Sequence, residues 1–246
     1  MSSIIYDKVI AGMRSACDDM LRFSGEPARP LNAEYLFTVA VAKQLDRLNG
    51  YYGDPYRIYL EKSTKEFSRD CLLPIKFGHP IKRGSSIIRR NSPKFNNGRI
   101  DIAVYEDVPN NGYMGHQPIC AIELKGFNPA RNLVIKDLKR NLKYFSVTGE
   151  TGGSVLESTI FAALHCWNKT ESESKEAKRA KDIENRYISW LSEIGHAASV
   201  DAHVKAHTIS KELVGEVVDE GEYQALYADT IHHYVGVTVE FRVKKV

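Results

Sequence analysis

Apolar residues recur at helical spacing from the start of the chain. Ile5, Val9, Met13, Ala16, Met20 and Phe23 predict an amphipathic helix over 4–23. Gly25, Pro27 and Pro30 break it, and Asn32 is a plausible N-cap for a second helix reaching about Leu48, with Gly50 as its stop. Residues 57–61 alternate as a short strand, and 74–98 read as a long loop or loose hairpin rich in Pro, Gly, Ser and Asn. Two clearer strands follow at 99–105 and 119–125, and the turn-forming residues between them predict an antiparallel hairpin. A basic amphipathic helix is expected over 130–145 and a nearly all-apolar, centrally buried strand over 155–163. A charged helix at 171–194 and strands at 202–209 and 233–243 complete the pattern. In the last strand Val235, Val237, Val239, Phe241 and Val243 are expected to face inward. The order of elements predicts an α/β fold with a central mixed sheet flanked by helices.

Composition changes this picture little. With 246 residues, 43% hydrophobic and 26% charged, the chain is long enough for a substantial core, and general disorder is not expected. A single domain spanning 1–246 is expected. No apolar run approaches the roughly 18 residues of a membrane span, and the N-terminus lacks the pattern of a signal peptide. Cys17, Cys71, Cys120 and Cys166 are scattered without a CxxC pair, which argues against a disulfide framework or zinc ribbon and suits a cytoplasmic protein.

The candidate chemistry lies in the hairpin. Residues two apart on a strand share a face, so Glu123 and Lys125 point the same way, and Asp101 lies opposite Ile100 and Ile102. If the strands pair, Asp101, Glu123 and Lys125 meet at one edge of an apolar sheet. Buried carboxylates are costly unless something uses their charge. A hard divalent cation such as Mg2+ does so, and a lysine beside it can hold water or stabilise growing negative charge. The plainer alternative is a solvated cross-strand salt bridge, each pair contributing roughly 0.2–1 kcal/mol.

The arrangement of Asp101 on one strand and Glu123-Leu124-Lys125 on the next resembles the PD-(D/E)XK nuclease superfamily, the restriction-endonuclease-like fold. The resemblance covers about 32–165; Ile100 stands where the superfamily often has proline. It leaves the helix at 4–23 and the extension at 170–246 as additions to the core. It implies hydrolysis of DNA phosphodiesters with Mg2+, or Mn2+ as a substitute. Asp101, Glu123 and the Leu124 carbonyl are the implied metal ligands. Lys125 is implied to position water, and Glu34 to complete the site from the preceding helix. The resemblance further implies a homodimer or a controlling partner subunit such as a helicase or methyltransferase, and a role in restriction or antiviral defence.

Charge distribution adds a substrate surface. Between Asp70 and Asp101 there is no acidic residue, while Lys76, Lys82, Arg83, Arg89, Arg90, Lys94 and Arg99 all fall there. Lys82, Arg83, Arg89, Arg90, Lys94 and Arg99 are therefore candidate contacts to a DNA backbone, against the reading of an exposed basic loop with no partner. Lys136, Lys139, Arg140 and Lys143 make a second basic cluster on the 130–145 helix. Two other classes stay open: a catalytically silent nuclease-fold subunit for nucleic-acid binding or assembly, and an interaction protein docking through 171–194. His203 with His207, His232 with His233, the 149–154 glycine turn, and Trp167 and Trp190 carry no specific chemistry by their spacing.

Overall fold

The computed structural model describes residues 2–24, 31–73, 75–77, 86–88, 97–107, 116–149, 152–168, 173–209, 216–227 and 232–244. Two long helices, α1 (Ser2–Ser24) and α2 (Glu34–Tyr52), precede the first strand, β1 (Tyr56–Ser63). A short helix, α3 (Thr64–Asp70), follows it directly. β2 (Ile75–Phe77) and β3 (Ser86–Ile88) form a separate small hairpin within the expected 74–98 loop. β4 (Arg99–Asp107), β5 (His116–Phe127), α4 (Arg131–Phe145), β8 (Ser158–Asn168), α5 (Glu173–Ile194), β9 (Val200–Thr208) and β12 (His232–Val243) build the rest of the core. The remaining short pairs are β6 (Thr148–Gly149) with β7 (Gly152–Gly153), and β10 (Val217–Asp219) with β11 (Gln224–Leu226).

The main sheet has six strands in the order β1-β4-β5-β8-β12-β9. Only β5 and β8 run parallel; every other neighbouring pair is antiparallel. A parallel pair needs a crossover, and α4 provides it. The sheet is therefore mixed, as the element order predicted, and helices cover both of its faces.

On one face α1 and α2 bury Val9, Met13, Phe37 and Val41 against Ile102, Ile122, Leu124, Ile160 and Ala162. Burial of such side chains stabilises the fold by about 1.5–3 kcal/mol each. The two helices cross closely at Gly12, where an added Cβ would come within 2.6 Å of the Val41 Cα. On the other face α4 and α5 pack Leu138, Ile183 and Tyr187 against Phe161, Val237, Val239 and Phe241. Phe67 of α3 closes the same side under β4 with Ala103, Tyr105 and Tyr144. None of the four cysteines forms a disulfide. Among the described residues, no helix is long and apolar enough to cross a membrane.

Several expectations need correction. Asn32 does not cap α2: Ala33 occupies that position, and the Asn32 side chain turns to β5 instead. Gly50 does not stop the helix either. The chain continues to Tyr52 and turns at Gly53, whose φ of 73° suits glycine. Asn49 holds that turn by accepting from the Tyr56 N–H at 3.0 Å and donating to the Tyr56 carbonyl at 3.2 Å. β8 lies further along than 155–163, because it pairs with β5 from Ser158 and with β12 as far as Asn168. In β12, Val243 is 44% exposed, whereas the alternate residues Thr238 and Glu240 are buried, since helices cover both faces.

Candidate active site

The ladder between β4 and β5 runs from Asp107 with His116 back to Ile102 with Ile122. Beyond that point the strands part, and the Leu124 N–H finds its acceptor in the Asp101 carboxylate, 2.6 Å away. Asp101 thus ties β4 to the start of the Glu123-Leu124-Lys125 segment by a side chain. The parting also changes the alternation. Ile102 and Val104 join the core under α1 and α2, but Ile100 packs with Phe67 and Cys71 beside α3, against the expected shared face.

Glu123 follows Ala121 on the side covered by α4, and it is fully buried. One of its oxygens, Oε2, accepts from Arg140 Nη2 of α4; the other, Oε1, has no hydrogen-bond partner. Arg140 also meets Asp137 Oδ1 at 2.9 Å. Lys125 lies next along the same face. Its Nζ is 3.4 Å from Asp137 Oδ2 and 3.0 Å from Glu34 Oε1, and it donates to the Leu124 carbonyl at 2.9 Å. An unbroken chain of charged contacts therefore runs Glu34–Lys125–Asp137–Arg140–Glu123.

Glu34 reaches this chain because the start of α2 is clasped to the end of β5. Asn32 Oδ1 accepts from the Phe127 N–H at 2.9 Å. A Cβ at Gly126 would sit 2.3 Å from that oxygen, so the clasp requires glycine there. Of the sequence-derived site residues, Glu34, Asp101, Glu123, Leu124 and Lys125 are brought together. Arg99 lies at the mouth of the site, 71% exposed and 3.8 Å from Glu61. Lys82, Arg83, Arg89, Arg90 and Lys94 lie outside the described residues.

Asp137 and Arg140 belong to a helix segment, 135–142, that the resemblance loosely expects to face the site; Arg140 was named only within a basic cluster, and neither was given a role in the site. For Asp137 a signal was available: it shares the helical spacing of Val134, Leu138, Asn141 and Tyr144, the buried stripe of α4, in which an aspartate is out of place.

Burial raises the Asp101 carboxyl to about 6; the Leu124 N–H and Lys125 oppose that rise, while Glu34 and Glu61 add to it. Burial pushes Glu123 well above the usual carboxylate range, against the pull of Arg140 and with a further push from Asp101 and Asp137. Lys125 is destabilised as a cation by burial, yet Asp137, Asp101 and Glu34 more than compensate and raise it. The site is thus an acid-rich cluster short of positive charge.

No group of three or more His, Cys, Asp or Glu side chains among the described residues converges as a ready metal cage. The donor set is still chemically suited to Mg2+: hard carboxylate oxygens, with water and substrate oxygens completing the shell. Glu123 Oε1, buried and unpartnered, is the oxygen that most needs a cation. Asp101 and Glu123 would hold such an ion. The Leu124 carbonyl, expected as a third ligand, already accepts from Lys125. Comparisons with family models, curated proteins and solved structures found no match to this chain.

Proposed function

We propose that the chain is a metal-dependent nuclease that hydrolyses phosphodiester bonds in DNA. The observation that carries this reading is the convergence of Asp101, Glu123 and Lys125 where β4 and β5 part, with one buried Glu123 oxygen left unpartnered. The resemblance to the PD-(D/E)XK superfamily rests on those same residues. When bound, the divalent cation supplies positive charge to a phosphate oxygen and lowers the pKa of water.

The chain's own groups do the rest. Asp101 and Glu123 fix the position of the charge. The Lys125 ammonium, held by Glu34 and Asp137, is aimed by its neighbours and donates to the negative charge that grows on the phosphate oxygens as water attacks phosphorus. The P–O bond to the leaving oxygen breaks, giving a phosphate monoester and a hydroxyl end. Arg99 and the basic residues of 82–94 hold the phosphate backbone.

A second reading has its own support. Glu123 and Asp137 already receive an internal cation, Arg140, as they would in a nuclease-fold subunit that binds without cutting. Cleavage of plasmid, linear and single-stranded DNA with and without Mg2+ decides between them. The nuclease reading expects Mg2+-dependent nicking that Asp101→Asn removes. DNA binding with no cleavage under any divalent cation establishes the silent subunit.

A further inference from the structure

Arg140 stood in the sequence only as part of a basic cluster on the 130–145 helix, yet it lies inside the acidic site. It comes from the crossover helix α4, it is largely buried, and it binds the two most deeply buried carboxylates of the site, Glu123 and Asp137. We propose that Arg140 is a built-in second cation: it permanently neutralises part of the acidic cluster, so the site accepts one divalent ion per chain and not two. This rests on the reading that Asp101 and Glu123 hold a divalent cation.

The argument is one of charge. Among the described residues the connected cluster contains four carboxylates, Glu34, Asp101, Glu123 and Asp137, and two cations, Lys125 and Arg140. Fully ionised, it carries a net charge of −2. Glu61 and Arg99 at the mouth, 3.8 Å apart, offset each other. One divalent ion brings the cluster to neutrality. A second would leave it strongly positive in a buried setting, where uncompensated charge is expensive.

The hydrogen bonds point the same way. Arg140 engages only one oxygen of Glu123 and only one of Asp137. The other Asp137 oxygen faces Lys125 at 3.4 Å, and the other Glu123 oxygen is unpartnered. Among the described residues of the cluster, every buried carboxylate oxygen on the α4 side is therefore assigned to a side-chain cation except Glu123 Oε1. One opening remains for one ion. Arginine suits a permanent role, because its guanidinium does not deprotonate in proteins.

The test is Mn2+ binding by the intact protein without DNA, followed by electron paramagnetic resonance and by calorimetry. The parent should bind one Mn2+ per chain. Arg140→Gln should take up a second equivalent, or bind the first at least tenfold more tightly. Arg140→Lys, which keeps the charge, should retain the parent stoichiometry; it also separates loss of charge from loss of fold. Two equivalents on the parent, or Arg140→Gln matching the parent in stoichiometry and affinity, would overturn the proposal. No binding by the parent would overturn both this proposal and the metal-dependent reading. One equivalent on the parent with the expected response of Arg140→Gln, but no DNA cleavage, would sink the nuclease reading alone.

Discussion

Two of the polar clusters on the sheet are built on opposite principles. Near the β4–β5 parting, the charged chain from Glu34 to Glu123 contains more acids than bases and leaves a buried oxygen unpartnered. Under α1, at the β12–β9 side, Tyr6, His207 and Thr238 form a closed neutral triangle. The Tyr6 hydroxyl lies 3.0 Å from His207 Nε2 and 2.8 Å from Thr238 Oγ1, and the last two atoms are 3.1 Å apart. A closed neutral network specifies packing; an open charged one retains an unmet demand. The difference shows why burial of polar groups alone does not mark a site. What marks it is a convergence of charged groups that the protein does not complete by itself.

The largest expected effect removes the unmet demand. Asp101→Asn and Glu123→Gln should each reduce divalent-dependent DNA cleavage to background, whereas Tyr6→Phe should leave cleavage unchanged and lower stability by about 0.5–1.5 kcal/mol. Plasmid nicking and thermal melts measure both. If Tyr6→Phe abolishes cleavage while Asp101→Asn retains it, the two clusters have been given the wrong roles.

Next in size is Lys125→Ala. Single-turnover cleavage should fall by about 10²–10³, the cost typical of losing one charge-stabilising donor. DNA binding in Ca2+ should change little. Loss confined to binding would reassign Lys125 to substrate grip.

The clusters should also differ in the sign of their pH dependence. Asp101 is raised to about 6 in the folded protein, chiefly by burial. Its contribution is present below the ordinary aspartate range near 3.9 and is lost as pH rises through about 6. His207 is lowered to about 4, again chiefly by burial, with Lys205 and Arg14 assisting. Its contribution is present above about 6.5 and is lost as pH falls through about 4. In metal-free melts, Asp101→Asn should flatten the loss toward neutral pH by several degrees, and His207→Gln should flatten the loss toward acid. Parallel curves for parent and both variants would show that neither group titrates as described.

The smallest effect concerns Glu61 in β1, whose φ of 54° is unusual for a non-glycine residue. Its neighbours Leu60 and Lys62 pair normally with Ile102 and Ile100, so the strained residue stands beside Asp101. Glu61→Gly should stabilise the metal-free protein by about 0.5–1 kcal/mol, as relief of strain is partly offset by glycine's greater freedom when unfolded. A melt showing destabilisation would mean that the Glu61 side chain contributes more than its backbone costs.

Much of the hairpin chemistry was legible because strand alternation has a short, rigid period: Glu123 and Lys125 had to share a face wherever the strand went. Asp101 was legible as a residue but not as an acceptor for the Leu124 N–H, because that depends on where the two strands separate. Arg140 was legible as one of several cations on α4 but not as the partner of Glu123, because that depends on how α4 is seated on the sheet. The seven residues of α3 are too few to display a helical period, and their burial is set by Phe67 finding Tyr105 and Tyr144. Asn32 looked like a cap because its local sequence fits one; the competing partner, Phe127, lies 95 residues away.

The strand order has a consequence for how the chain is made. β9 is synthesised before β12, yet in the main sheet its ladder is with β12 alone, which inserts between β9 and β8. Until β12 arrives, β9 has no strand to join and β8 presents an open edge with Phe161, Ala163 and Leu164 along it. An exposed apolar edge of this kind templates association between chains. Chains interrupted between Thr208 and His232 should therefore accumulate as aggregates, even though every residue of the charged cluster has already been made.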